Sequence, residues 1–168
     1  MINDAAQADL AEIMGIYNEV IRNSTAVYTE IEFTQERGAA WFEAKSAAGF
    51  PVIIARDESG ITGFGTFGEF RTPPCYRNSV EHSVHVRADR RGSGIGRKLV
   101  IELMSRAAAM HKHVMIAGID ADNAVSIRLH KSLGFIDVGH FHQVGFKFGR
   151  WLDLRFLQCL LPATTLKS

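Results

Sequence analysis

The run Arg91-Gly-Ser-Gly-Ile-Gly96 is the part of the chain best suited to holding an anion. It is so poor in side chains that successive backbone N–H groups can close on a phosphate. An apolar helical pattern follows, with Leu99, Val100, Leu103, Met104, Ala107 and Ala108 along one side. The same N–H groups therefore open a helix, whose dipole adds to the attraction. Arg90, Arg91, Arg97 and Lys98 supply local positive charge. The guest predicted for such a turn is a diphosphate. On glycine content alone, an ordinary glycine-rich connection stays open as the plainer alternative.

Three kinds of phosphate site use such a loop. A P-loop would end the glycine run with Gly-Lys-Ser/Thr to reach the β- and γ-phosphates and Mg²⁺, and here Gly96 is followed by Arg97-Lys98-Leu99. A dinucleotide fold would space its glycines as GxGxxG after a wholly apolar strand. This chain has Gly92-x-Gly94-x-Gly96 after the alternating Ser79-Val-Glu-His-Ser-Val-His-Val86. Coenzyme A is left.

The elements that must position this turn follow from periodicity. Ser79 to Val86 reads as a strand with Val80, His82, Val84 and Val86 on one face and Glu81, Ser83 and His85 on the other. A first helix is predicted from Asp9, where Asp9-x-x-Glu12 resembles a capping box, followed by Leu10, Ile13, Tyr17, Val20 and Ile21 at helical spacing. Ala26 to Tyr28 reads as a short β-rich patch. A second helix spans about Thr34 to Ala48 and is stopped by Gly49 and Pro51. Residues 51–55 and 61–67 form a hairpin around Asp57-Glu-Ser-Gly60. Val114 to Ile119 reads as a strand, Asn123 to Leu133 as a helix ended by Gly134, and Phe135 to Phe141 and Phe146 to Leu157 as a β-rich end. The order predicts a mixed α/β sheet flanked by helices, with a βαβ unit from Ser79 to Ile119.

Bulk properties set the frame. A length of 168 residues with 46% apolar content suits one domain spanning 1–168 with a substantial core. A formal net charge of +1 gives no nucleic-acid footprint. The N-terminal Met1-Ile-Asn-Asp4 has no basic or apolar leader pattern, and no apolar run approaches the roughly 20 residues of a membrane span. A soluble cytoplasmic protein without membrane partners is expected. Cys75 and Cys159 form no CxxC pair and read as free thiols.

Arg91-x-x-Gly94-x-Gly96 after Val84-x-Val86 resembles the acetyl-CoA signature of the GCN5-related N-acetyltransferases. Asn123, Ser126 and Leu133-Gly134-Phe135 lie where that superfamily has its other motif. More narrowly, Phe70-Arg71 to Tyr76-Arg77, Val80-Glu-His-Ser-Val84 and Val144-Gly-Phe-Lys-Phe-Gly-Arg-Trp-Leu-Asp153 are similar to the phosphinothricin and methionine sulfoximine/sulfone acetyltransferases. The resemblance implies acetyl-CoA as co-substrate. Val84, His85 and Val86 would offer backbone groups to the pantetheine arm and thioester carbonyl. Arg91, Gly92, Ser93, Gly94, Ile95, Gly96 and Arg97 would hold the diphosphate, and Asn123 would contact the coenzyme near its pantetheine arm. Arg71, Thr72, Glu81, His82 and Ser83 would line the acceptor pocket. Where many members have a tyrosine as general acid, this chain has His130, which reads equally as a packing residue. A homodimer is also implied.

Aminolysis of a thioester needs a neutral amine beside a polarised carbonyl. An acceptor titrating two units above the working pH costs about 2.7 kcal/mol to deprotonate, so a placed base is useful. Glu81 is the candidate base, its pKa raised by partial burial, against the plainer reading of a strand glutamate on a solvated face. Arg71 can pair with a carboxylate or phosphinate. The loop Arg71 to Arg77 carries two arginines and no acid, which disfavours polyamine and aminoglycoside acceptors. A peptide acceptor and a non-catalytic acyl-CoA-binding module remain as rivals. Tyr28, Phe33 and Trp151 are candidate pocket walls or core residues. His111-x-His113 and His140-x-His142 have the spacing of metal ligands, but no carboxylate or cysteine is spaced convincingly with them, so no metal is expected.

Overall fold

The computed structural model describes residues 1–162. Seven strands, β1 (Ile2–Asp4), β2 (Val52–Asp57), β3 (Gly60–Glu69), β4 (Ser79–Val86), β5 (Val114–Asp120), β6 (Ile136–Lys147) and β7 (Arg150–Leu160), form a mixed sheet in the order β1-β2-β3-β4-β5-β7-β6. Four α-helices punctuate them: α1 (Leu10–Asn23), α2 (Gln35–Ala47), α3 (Ile95–Ala109) and α4 (Ala124–Ser132). This is the mixed α/β architecture expected from the order of periodic segments.

The backbone gathers into two compact units, Met1–Phe67 with Ser83–Val100, and Gly68–His82 with the chain from Ile101 onward. Strand β4 and helix α3 each run from one unit into the other. In the first unit β1 pairs antiparallel with β2, and β2 with β3 around Gly60, whose φ of +101° suits a residue without a Cβ. The apolar stripe of α1 (Ile13, Met14, Ile16) packs with Val52, Ile54, Ile61 and Phe64, and Trp41 and Phe42 of α2 close the cluster. Thr34 caps α2 by accepting the Arg37 N–H at 3.2 Å. In the second unit β4 starts parallel to β5 (Ser79↔Val114 to Glu81↔Ile116), β5 pairs antiparallel with β7, and β7 with β6 through two register shifts.

Three local expectations are corrected. The box predicted at Asp9 is displaced by one short turn. Gln7–Asp9 forms a 3₁₀ turn, the Asp9 carboxylate accepts the Ala6 N–H at 2.8 Å, and Glu12 accepts the Ile61 N–H at 2.7 Å. Residues 26–28 form bends and no strand; the Ser24 hydroxyl accepts the Ala26 N–H at 3.2 Å, and side-chain capping of this kind competes with a β ladder. The C-terminal strands are longer than the apolar pattern indicated, reaching Lys147 and Leu160.

Candidate active site

In the first unit the glycine turn lies between a 3₁₀ turn at Ala88–Arg90 and α3. Gly92 (φ +79°) and Gly94 (φ +82°) take left-handed backbone, and a Cβ at either would meet nothing within 4 Å. Conformation, not crowding, therefore demands glycine here, and the space outside the turn is open to a ligand. Ser93 is fixed by donating its hydroxyl to the Arg90 carbonyl. Ile95 and Gly96 begin α3, with Arg97 and Lys98 exposed on its first turn. The charge is less generous than the sequence suggested. Arg91 pairs with Glu19 at 2.9 Å and donates to the Val86 carbonyl at 3.1 Å, while Arg90 pairs with Asp57 and Asp89. Arg97 and Lys98 are the basic residues left to face an incoming anion.

Within the same unit, β4 approaches β3 so closely that a Cβ at Gly63 would lie 2.9 Å from the His85 carbonyl oxygen. His85 is buried between Tyr17 and Phe64, with ring centroids 5.1 and 5.2 Å away. Burial pushes its pKa down to about 4, and the Arg91 charge adds to the fall, so the ring is neutral at physiological pH. Val84 and Val86 are half-buried, and a Cβ on Gly96 would sit 3.6 Å from the Val86 side chain. The predicted alternation holds here. Ser83 faces the side of Tyr17, lining a cavity of about 100 Å³ with Met14, Tyr17, Phe33, Trp41, Lys45, Phe64 and Thr66. Lys45 donates to the Phe67 carbonyl at 2.9 Å, and burial lowers its pKa. Of the three aromatic wall candidates, Phe33 lines this cavity. Tyr28 and Trp151 do not; Trp151 is 60% exposed and meets Phe146 edge-on at 5.0 Å.

In the second unit Glu81 is half-buried on β4, opposite Ile116 of β5. Burial raises its pKa and the nearby Arg71 charge opposes that rise. Its carboxylate lies over Gly118, where a Cβ would stand 3.0 Å from Oε1. Gly118 is a candidate site residue that periodicity passed over. Its signal was a glycine inside the otherwise apolar strand Val114–Ile119, which commonly marks a close approach. Arg71 is exposed, with its guanidinium 4.4 Å from the Phe70 ring centre and donating to the Phe70 carbonyl at 3.0 Å. Thr72 is exposed beside it.

His82 and His130 are brought together, both buried, with Nε2 atoms 3.1 Å apart and rings stacked at 5.1 Å. His130 Nδ1 lies 2.7 Å from the Ser126 carbonyl, a contact that requires a proton on Nδ1. Burial lowers the pKa of His130, outweighing that carbonyl, so the neutral ring presents Nε2 as an acceptor and His82 is its donor. Asn123 caps α4, its Oδ1 accepting the Ser126 N–H at 3.0 Å.

One expectation about metal ligands is corrected. Asp153 of β7 meets both His140 and His142, so the carboxylate that sequence spacing did not supply comes from across the hairpin. Among the described residues, no such group of three includes His111 or His113.

Comparison with known proteins places this geometry. Residues 2–155 match the family model described as an acetyltransferase (GNAT) domain. The L-methionine sulfoximine/L-methionine sulfone acetyltransferase of Pseudomonas paraeruginosa is 45% identical over 164 residues, covering 97% of this chain and 95% of that protein. An L-amino acid N-acyltransferase of Escherichia coli is 43% identical, over 98% of this chain and 95% of that one. The crystal structure of a phosphinothricin acetyltransferase from Sinorhizobium meliloti in complex with acetyl-CoA superposes with a TM-score of 0.94 at 38% identity, covering 99% of this chain and 91% of that chain.

Proposed function

The chain belongs to the GNAT acetyltransferase family and is an N-acetyltransferase, and we propose that it moves acetyl from acetyl-CoA directly to the α-amino group of a small amino-acid analogue. Methionine sulfoximine, methionine sulfone and phosphinothricin are the acceptors, as the names of the relatives suggest. The observation that carries this reading is Glu81, a half-buried carboxylate of raised pKa, held over a glycine and near the charge of Arg71.

The turn from Arg91 to Arg97 suits a diphosphate: Gly92 and Gly94 leave their backbone open, and Arg97 and Lys98 add charge. Val84, His85 and Val86 lead into it along β4 and would meet the pantetheine arm and thioester carbonyl, with Asn123 as a further contact. Arg71 would recognise the acceptor's acidic oxygens, alongside Thr72, His82 and Ser83. Glu81 would take the proton from the acceptor ammonium, directly or through water, freeing the lone pair that attacks the thioester carbon. The N–C bond then forms, the C–S bond breaks, and the nitrogen gives up a second proton that balances the one the departing thiolate takes up. His130 is the candidate donor to the thiolate. The transfer needs no metal. A cytoplasmic homodimer completes the proposal, the dimer supported by exposed Phe141, Val144, Phe146 and Trp151 on the β6–β7 hairpin.

The test is acetyl-CoA-dependent release of free thiol with methionine sulfoximine, methionine sulfone, phosphinothricin, spermidine and a lysine peptide. Turnover confined to the three analogues is expected, with Glu81→Gln slowed by about 10²- to 10⁴-fold. Preferential turnover of spermidine or peptide would overturn the substrate class. An unimpaired Glu81→Gln would remove the base.

A further inference from the structure

The β6–β7 hairpin holds a constellation that the proposed acetyl transfer does not use. His140 and His142 are two residues apart on β6, so their rings leave the same face of the strand. Their ring centroids are 4.2 Å apart. Between the paired positions Phe141↔Leu154 and Gly145↔Leu152 the β6 strand bulges, and Asp153 of β7 stands opposite the bulge. The Asp153 Oδ2 atom lies 3.1 Å from His140 Nε2 and 2.9 Å from His142 Nδ1. Its other oxygen accepts the N–H of Gln143 at 2.8 Å, at a residue whose φ is +52°. The carboxylate is therefore tied to the bulge, and the bulge brings the second imidazole to it.

From this geometry we infer that His140, His142 and Asp153 form a binding site for a late first-row divalent cation such as Zn²⁺ or Ni²⁺. Two imidazole nitrogens and one carboxylate oxygen are the donor set such ions favour, whereas Mg²⁺ and Ca²⁺ select oxygens. The three donor atoms already lie within 4.8 Å of one another. An ion with bonds of about 2.1 Å places its donors about 3.0–3.4 Å apart, so the set needs little movement to close on it. Binding replaces the imidazole protons that face Asp153. In each neutral ring that proton shifts to the other nitrogen, Nδ1 of His140 and Nε2 of His142, as the ion takes its place, so the tautomer changes and no net proton is lost. Coordination positions beyond the three protein ligands go to water, because the His140 and His142 side chains are 43% and 74% exposed. The bound ion staples β6 to β7 across the bulge. This site stands apart from the proposed transfer chemistry and holds whether or not that proposal does.

The experiment is equilibrium dialysis of tag-free protein against Zn²⁺ and Ni²⁺, alongside thermal unfolding, for wild type, His140→Ala, His142→Ala and His113→Ala. Wild type and His113→Ala should bind one equivalent. Their Tm should rise by about 5–10 °C at a free ion concentration about a hundredfold above Kd, with Mg²⁺ giving no shift. The His140 and His142 variants, altered at exposed positions, should keep the metal-free Tm and lose both binding and the shift. Equal binding by all four proteins, loss confined to His113→Ala, or no saturable binding by wild type at millimolar ion would each overturn the site.

Discussion

Gly118→Ala tests whether the placement of Glu81 matters. The added Cβ would lie 3.0 Å from Glu81 Oε1, 3.3 Å from Phe156 Cε1 and 3.7 Å from Leu154 Cδ1, so no direction is open to it. An ordinary carbon–oxygen contact is about 3.4 Å, and a shift of about 1 Å in a reacting group costs up to about 10²-fold. The carboxylate must therefore give by about 0.4 Å, which scales to a loss of about fivefold to tenfold in kcat. Gly118 has no positive φ, so the backbone accepts alanine, and stability should change by less than about 1 kcal/mol. Initial rates of thiol release with methionine sulfoximine would give kcat and both KM values, and a melting curve would confirm the fold. The KM for acetyl-CoA should hold, since the glycine turn is untouched. Gly139→Ala, whose Cβ would find only ordinary contacts at 3.9 Å, is the control and should match wild type. A folded Gly118→Ala enzyme with full kcat would refute the assignment of Glu81 as a base sensitive to position.

Three further outcomes are expected, two at Glu81 and one at the glycine turn. Burial raises the pKa of Glu81, so the base is protonated below that raised value, and kcat/KM should climb with pH through a limb shifted upward from the ordinary glutamate value. The stability sign is opposite: between the unfolded and the raised folded pKa the native state binds more protons, so stability falls as pH rises. Glu81→Gln should then melt no lower than wild type at neutral pH, a comparison made by calorimetry. Gly94→Ala puts a Cβ at φ +82°, a strain of about 1–2 kcal/mol, and should raise the KM for acetyl-CoA about tenfold while kcat at saturation is kept.

What was legible in the sequence was what local chemistry dictates. Period-two alternation marked Ser79–Val86 to the residue, and glycines followed by an apolar stripe marked the start of α3. Strand β1, Ile2–Asp4, went unseen because three residues carry no period; the ladder to Ile53–Ala55 makes it a strand. Glu12 looked like a capping partner and instead accepts the Ile61 N–H, 49 residues away. Asp153 and Gly118 matter through neighbours on other strands. Arg90 and Arg91 are offset by Asp57 and Glu19, carboxylates that only the fold brings near, and Arg90 also by its chain neighbour Asp89. Residue types and spacing announce donors and turns, whereas pairing across strands decides which charges remain.

The histidine pair shows how that difference bears on mechanism. By its position His130 is the candidate acid for the departing thiolate. In the structure its Nδ1 proton is committed to the Ser126 carbonyl, and its Nε2 lone pair faces His82. Desolvation keeps the ring neutral, since a buried imidazolium is costly. A neutral His130 therefore has no proton at Nε2 to give until one arrives, and His82 Nε2, 3.1 Å away, can deliver it as His82 takes up a proton released by the acceptor amine at its own Nδ1, so that neither ring is left as an imidazolate. His82 is next to Glu81 in the chain, so the candidate base and the first histidine of the pair are consecutive on one strand. If His130 protonates the thiolate it does so as the second member of a relay, and His82→Phe should then impair turnover as severely as His130→Phe. A single-site acid would show the loss in the His130 variant alone, which a comparison of kcat for the two folded variants distinguishes.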